Sequence, residues 1–228
     1  VGREIVLHLA ASGYDCAFTF HTNTDGARSL CEGVEKLGRR CIALRADFRD
    51  FPSAPRAVAE EFALVYSRLD VLVNNASIYE PDKEGEAAAA QLADMMNVHA
   101  FASLVLTREL APLMARLGGV VVNMLDLLAD KPMPGYLHYC ASKAAQQNIT
   151  LGLARELAPK VRVVGIAPGV VKWPDEMPES QRQAYLKRVP LGKPGHPQDV
   201  ARLVRFLASE GAYITGQVIR LDGGRALT

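Results

Sequence analysis

Short, uninterrupted apolar runs recur along this chain, each separated from the next by enough residues for one helix. Val71-Leu72-Val73, Val120-Val121-Val122-Asn123 and Val161 to Ile166 are the clearest. Cys16-Ala17-Phe18-Thr19-Phe20, Cys41-Ile42-Ala43-Leu44 and Gln217-Val218-Ile219-Arg220-Leu221 complete the series. A strand with one wet face alternates apolar and polar residues, so a run without alternation is buried on both faces. Between the runs the apolar residues switch to helical spacing, as in Ile5, Val6, Leu9 and Ala10, then Ala27, Leu30, Val34 and Leu37. Further helices are predicted over Ala54–Ser67, Ala87–Leu117 (interrupted only by Pro112), His138–Leu157 and Pro197–Leu207. Strands alternating with helices predict a doubly wound, mostly parallel α/β sheet covered on both faces. No repeat, linker or low-complexity tract divides residues 1–228, which predicts a single domain. Lys172 to Pro190, rich in proline and charge, reads as a flap with room for one short helix.

Composition removes several function classes. With 228 residues, 49% of them hydrophobic, the chain can bury one ordinary core. A net charge of +1 offers no basic field for nucleic acid. The longest apolar runs are far too short to span a bilayer, and no charged-then-apolar leader opens the sequence. Cys16, Cys31, Cys41 and Cys140 are scattered, with no Cys-x-x-Cys pair, and read as thiols of a reducing compartment, the cytoplasm. His8, His99, His138 and His196 lack metal-ligand spacing and read as surface or structural residues, so no metal is expected.

The chemistry centres on Tyr139-Cys140-Ala141-Ser142-Lys143. Four residues apart on a helix, Tyr139 and Lys143 share one face. A phenol titrates near pH 10 and holds its proton tightly at neutrality. An ammonium one turn away favours the phenolate, which is expected to draw the tyrosine toward the range of a general acid.

Around that pair stand Asp47, Asn74-Asn75-Ala76, Asn97, Pro168-Gly169 and Asp222-Gly223-Gly224. In this order and spacing they resemble the short-chain dehydrogenase/reductase family along essentially the whole chain. The resemblance implies a Rossmann-like fold, hydride transfer from a nicotinamide dinucleotide, and a proton managed by Tyr139. It also implies that Lys143 holds the cofactor ribose, and that Asn97 holds a water in a relay through the lysine. The cofactor is expected to lie along Gly2, His21, Thr22, Asn23, Asp47, Asn75, Ala76, Pro168 and Gly169, besides Tyr139 and Lys143, with Asp47 at the adenine. No acid stands in His21-Thr22-Asn23 to bind the ribose hydroxyls and repel a 2′-phosphate, so NADPH is expected. The family begins with a strand and a glycine-rich turn, of which Gly2 resembles the last glycine. A segment on the order of 10–20 residues, one strand and one turn, is therefore expected to be omitted here. Without it two interior sheet edges would stand unpaired. The family also implies a homotetramer through the two long helical segments.

Thirteen residues before Tyr139, where the family usually has a serine, stands Asp126. That replacement resembles the pteridine reductase branch. So do Asn75-Ala76-Ser77-Ile78-Tyr79, the Met177-Pro178 flap and the C-terminal Asp222 to Thr228. By that resemblance Ser77 and Tyr79 would contact a pterin, Tyr79 by stacking, with Asp126 and Tyr139 feeding it a proton. A carboxylate suits pterin N–H groups and would repel the oxygen of a reduced ketone. The alternatives are a 3-oxoacyl-carrier-type carbonyl reductase and a non-catalytic NADP(H)-binding protein.

Overall fold

The computed structural model describes residues 1–116, 118–174 and 176–228. In chain order the elements are α1 (Gly2–Ala11), β1 (Cys16–Phe20), α2 (Thr24–Glu35), β2 (Cys41–Arg45), α3 (Ser53–Val65) and β3 (Val71–Asn74). Then come α4 (Glu86–Met95), a π-helical turn (Met96–Phe101), α5 (Ala102–Met114), β4 (Val120–Met124) and α6 (Leu137–Glu156). β5 (Arg162–Pro168), α7 (Glu179–Leu186), α8 (Pro197–Ser209) and β6 (Val218–Leu221) complete the chain.

Every strand pairing is parallel. β3, β4, β5 and β6 lie side by side in that order, while β1 pairs only with β2. β4 shows why its sequence does not alternate. Val120 and Val122 pack with Ile5, Leu9, Val200, Val204 and Leu207 of α1 and α8 on one face. Val121 packs with Phe62, Leu106, Leu110, Met114 and Leu153 of α3, α5 and α6 on the other. Each fully buried valine or leucine contributes about 1.5–3 kcal/mol, so β4 is the anchor of both layers. The helix predicted from Ala87 to Leu117 is instead two α-helices with a π turn between them. The last residue of that range lies outside the described residues.

Between β1 and β3 runs an open cavity of about 1000 Å³, lined by both strands and by Ile5, Leu9, Val58, Phe62 and Leu106. The facing edges of β1 and β3 border it. The strand C-termini, Phe20, Asn74, Met124 and Pro168, carry the loops that hold the expected site residues.

Candidate functional site

Asp126 follows β4 and Tyr139 opens the third turn-position of α6; the sheet and helix bring them together. The Tyr139 hydroxyl donates to Asp126 Oδ2 at 2.9 Å, while Asp126 Oδ1 accepts from the Leu128 amide at 2.9 Å. Lys143 is buried at 2% exposure, its Nζ donating to the Met124 carbonyl at 2.8 Å and to Gln146 Oε1 at 3.1 Å. Gln146 also sits in a buried polar chain. Its carbonyl accepts from Thr150, whose hydroxyl accepts from Asn123, and Asn123 accepts from Asn74 of β3. Such a network fixes the end of the lysine.

The electrostatics reverse one expectation. Burial first, then the Asp126 carboxylate, raises the Tyr139 phenol well above its usual value. The lysine does not offset this: its Nζ lies 5.9 Å from the centre of the Tyr139 ring and its hydrogen bonds go elsewhere. Burial also raises the Asp126 carboxyl, against the Leu128 amide, the Tyr139 hydroxyl and the Lys143 charge that favour its anion. Burial pulls Lys143 down to about 8, with Asp126 opposing. Low dielectric thus shifts both acids toward their protonated forms and weakens the cation. The phenol is partnered by the Asp126 carboxyl and makes no hydrogen bond to Lys143 among the described residues.

Ser77 and Tyr79, on the loop after β3, reach the same cleft. Tyr79 stacks on Tyr136 with centroids 4.7 Å apart and meets Tyr139 edge-on at 4.9 Å. One stacking face is thus already taken by Tyr136. Burial raises the Tyr79 phenol to about 12. Ser77 bonds to His99 at 2.9 Å. The described residues of the flap are tied down at Tyr185, whose oxygen accepts from the Val170 amide just past Pro168-Gly169. Trp173 meets Tyr185 edge-on, and Pro178 caps α7; position 175 lies outside the described residues.

Three expected site residues already have partners. The Asn97 amide donates to the Arg49 carbonyl at 3.3 Å. The π turn aims it at the loop after β2. Asp47 is held by Arg49 at 2.6–3.1 Å and by His21 at 3.2 Å, and that pairing with Arg49 lowers its carboxyl to about 2. Asn23 caps α2 through the Gly26 amide at 2.8 Å, which leaves its side chain a structural task.

The remaining cofactor positions line one edge. Gly2 opens α1 with no side-chain cap, and a Cβ there would lie 2.8 Å from Asn75 Nδ2. The free amides of α1 and the close approach of its backbone suit an anion. His21 and Thr22 follow β1, while Ala76 follows Asn75 and packs on the core under the loop. Gly169 bonds through its amide to the Leu221 carbonyl. Arg45 and Arg49 were not anticipated from the sequence; Arg45 Nε donates to the His21 carbonyl at 3.3 Å. Two guanidiniums therefore flank the polar stretch after β1, where the sequence shows neither. Cys16, Cys31 and Cys41, scattered in sequence, also converge. Cys16 and Cys41 are register partners, and burial together with neighbouring Cys31 raises both thiols. Raised thiols are poor nucleophiles. No cluster of three or more metal-ligating side chains occurs among the described residues. No described helix is long and apolar enough to cross a membrane.

The site can be set beside known proteins. A family model described as enoyl-(acyl carrier protein) reductase matches residues 1–226. The 3-oxoacyl-(acyl-carrier-protein) reductase FabG of Thermotoga maritima is 37% identical, over 98% of this chain and 97% of its own. The chain belongs to the short-chain dehydrogenase/reductase family. FabG of Staphylococcus aureus (strain Mu50) is 30% identical over 98% of this chain and 93% of its own. Among solved structures, acetoin dehydrogenase from Enterobacter cloacae superposes with a TM-score of 0.88 at 31% identity, covering 99% of this chain and 91% of the other. This short-chain dehydrogenase/reductase is thus an oxidoreductase of a family that uses NAD(P)H. These relatives are named for oxoacyl and acetoin chemistry, so the finer resemblance to pteridine reductases rests on the residues around Asp126 and not on them.

Proposed function

We propose that the chain is an NADPH-dependent carbonyl reductase acting on a 3-oxoacyl thioester or a similar small ketone. The observation that carries this is the 2.9 Å bond between Tyr139 and Asp126 in a buried cleft that raises both acids. With Asp126 protonated, two O–H donors converge where a carbonyl oxygen gains charge, an arrangement that stabilises an oxyanion. Asp126 then does with a carboxyl what a serine hydroxyl would do. The names of the relatives support the substrate class. The absence of an acid after β1, with Arg45 and Arg49 beside His21, supports NADPH.

The nicotinamide, when bound, supplies the hydride to the carbonyl carbon. Tyr139 gives its hydroxyl proton to the oxygen, and the Asp126 carboxyl proton replaces it on the phenol. Solvent then reprotonates Asp126, so one ketone, one NADPH and one proton give one alcohol and NADP. Lys143 supplies positive charge behind Tyr139 and holds the ribose.

A second reading keeps Asp126 as an anion. It would then accept from N–H groups of a pterin placed against Tyr79, while a C=N bond is reduced. Asp126 in place of serine and the aromatic wall of Tyr79 and Tyr136 favour it. The two readings differ in sign. Carbonyl reduction needs the carboxyl and is lost as pH rises through the raised Asp126 value, and Lys143 loses its charge as pH rises through about 8. Pterin reduction needs the carboxylate and is lost as pH falls.

The test follows NADPH oxidation at a range of pH with acetoacetyl thioester, diacetyl and dihydrobiopterin. Thioester or diketone turnover that declines toward alkaline pH and collapses in Tyr139→Phe supports the proposal. Turnover of the pterin alone replaces it with the second reading. NADPH binding without turnover of any of them would point to a binding protein. We also propose self-association through the outer faces of α5 and α6, where Leu151 is 40% exposed. A monomeric mass on size-exclusion with light scattering would refute it.

A further inference from the structure

We propose that His99 is a positioning residue that fixes the Ser77 hydroxyl as a hydrogen-bond acceptor toward Tyr139. This rests on Tyr139 being the reacting acid.

His99 is wholly buried on the π turn, facing α6. Its Nδ1 lies 2.7 Å from Ser142 Oγ. Its Nε2 lies 2.9 Å from Ser77 Oγ and 3.1 Å from the Ile78 amide nitrogen. Two neighbours can play only one part each. The Ile78 amide can only donate, so Nε2 carries a lone pair. At the other end the Ser142 hydroxyl donates to the Tyr139 carbonyl at 2.7 Å, so Ser142 Oγ must accept, and Nδ1 carries the proton. Both ends of the ring require the same neutral tautomer. Burial first, and the charge of Lys143 second, push His99 down to about 2, so this tautomer persists over the working range.

The consequence falls on Ser77. With Nε2 unprotonated, a 2.9 Å approach requires the Ser77 proton to point at it, sharing the lone pair with the Ile78 amide, which leaves the Ser77 lone pairs for the cleft. Ser77 neighbours the Tyr139 hydroxyl, and the His99 and Tyr139 rings meet edge-on at 5.4 Å. A serine so held cannot donate to a phenolate; it steers the Tyr139 O–H or accepts from a substrate N–H or O–H. Once Tyr139 has given its proton, Ser77 keeps its own proton on His99, and Asp126 is left as the donor that restores the phenol. The polarity of the cleft is thus set one shell behind it: Tyr139 and Asp126 donate and Ser77 accepts.

The test joins nitrogen-15 NMR of the histidines with three single variants and one double variant. In the wild type His99 is expected as the Nδ1–H tautomer, without titration between pH 4 and 8. An Nε2–H tautomer, or titration in that range, overturns the proposal whatever the substrate proves to be. His99→Gln keeps an amide oxygen near the Nε2 position, whereas His99→Asn keeps only a donor toward Ser142. Ser77→Ala and His99→Asn are expected to lower kcat by roughly ten- to a hundredfold with the KM for NADPH unchanged, and His99→Gln to rescue most of it. The Ser77→Ala and His99→Asn losses should not add in the double variant. A Ser77→Ala enzyme with full kcat overturns the proposal, even if His99→Asn fails to fold. If no compound of the panel turns over, the functional reading fails while the NMR still decides the tautomer.

Discussion

Around Tyr139 a lysine and an acid compete for the phenol, and distance decides between them. Asp126 sits at 2.9 Å, and Lys143 spends two of its three donors on Met124 and Gln146. The shared face of Tyr139 and Lys143 was legible in their spacing. The direction of the proton was not, because it depends on burial and on a residue thirteen positions away. Asp126→Ser should therefore keep much of the carbonyl activity, since a hydroxyl can still donate. Asp126→Ala should lose about 10²-fold in kcat, the scale of removing one oxyanion donor. Steady-state kinetics on the two variants checks this: equal loss in both would mean that the second donor does not act in the reaction. His99 shows the same limit of sequence reading. A lone histidine without ligand spacing reads as structural, and nothing local signals that its two nitrogens bridge residues 77, 78 and 142.

The helices and strands were readable wherever periodicity and burial agree. Unalternating valines mark β3, β4 and β5 because each is covered twice. The π turn at Met96–Phe101 was not readable, because an i→i+5 step hides inside a run that stays helical on either side. Yet that turn places Asn97 against the β2–α3 loop and His99 against α6. Deleting Ala100 should return the segment to α-helical register and turn one flank by about 100°. α5 buries seven side chains and α4 only two, so α4 and His99 should give way. The expected variant has unchanged helical circular dichroism and a kcat lower by roughly 10²-fold. Loss of the fold instead would mean that α4 and the turn anchor the core. Arg45 and Arg49 escaped the sequence for a related reason: the ends of β1 and β2 meet only once the parallel pair has formed.

Across the whole molecule the sheet has unequal parts. β4 and β5 are covered on both faces and paired on both edges, whereas β2 and β6 each pair on one side among the described residues. Backbone amides of such outer strands open more readily than those inside a doubly paired strand. Hydrogen exchange should accordingly be faster over Cys41–Arg45 and Val218–Leu221 than over Val120–Met124 and Arg162–Pro168. Equal protection across all four would show that the sheet opens as one unit.

β4 also ties the core to the chemistry. It anchors both layers and ends at Met124, whose carbonyl holds Lys143, with Asp126 two residues further on. Core and cleft thus share one strand. A methyl group lost from Val121 or Val122 would be felt where Tyr139 meets Asp126, so packing and turnover should decline together.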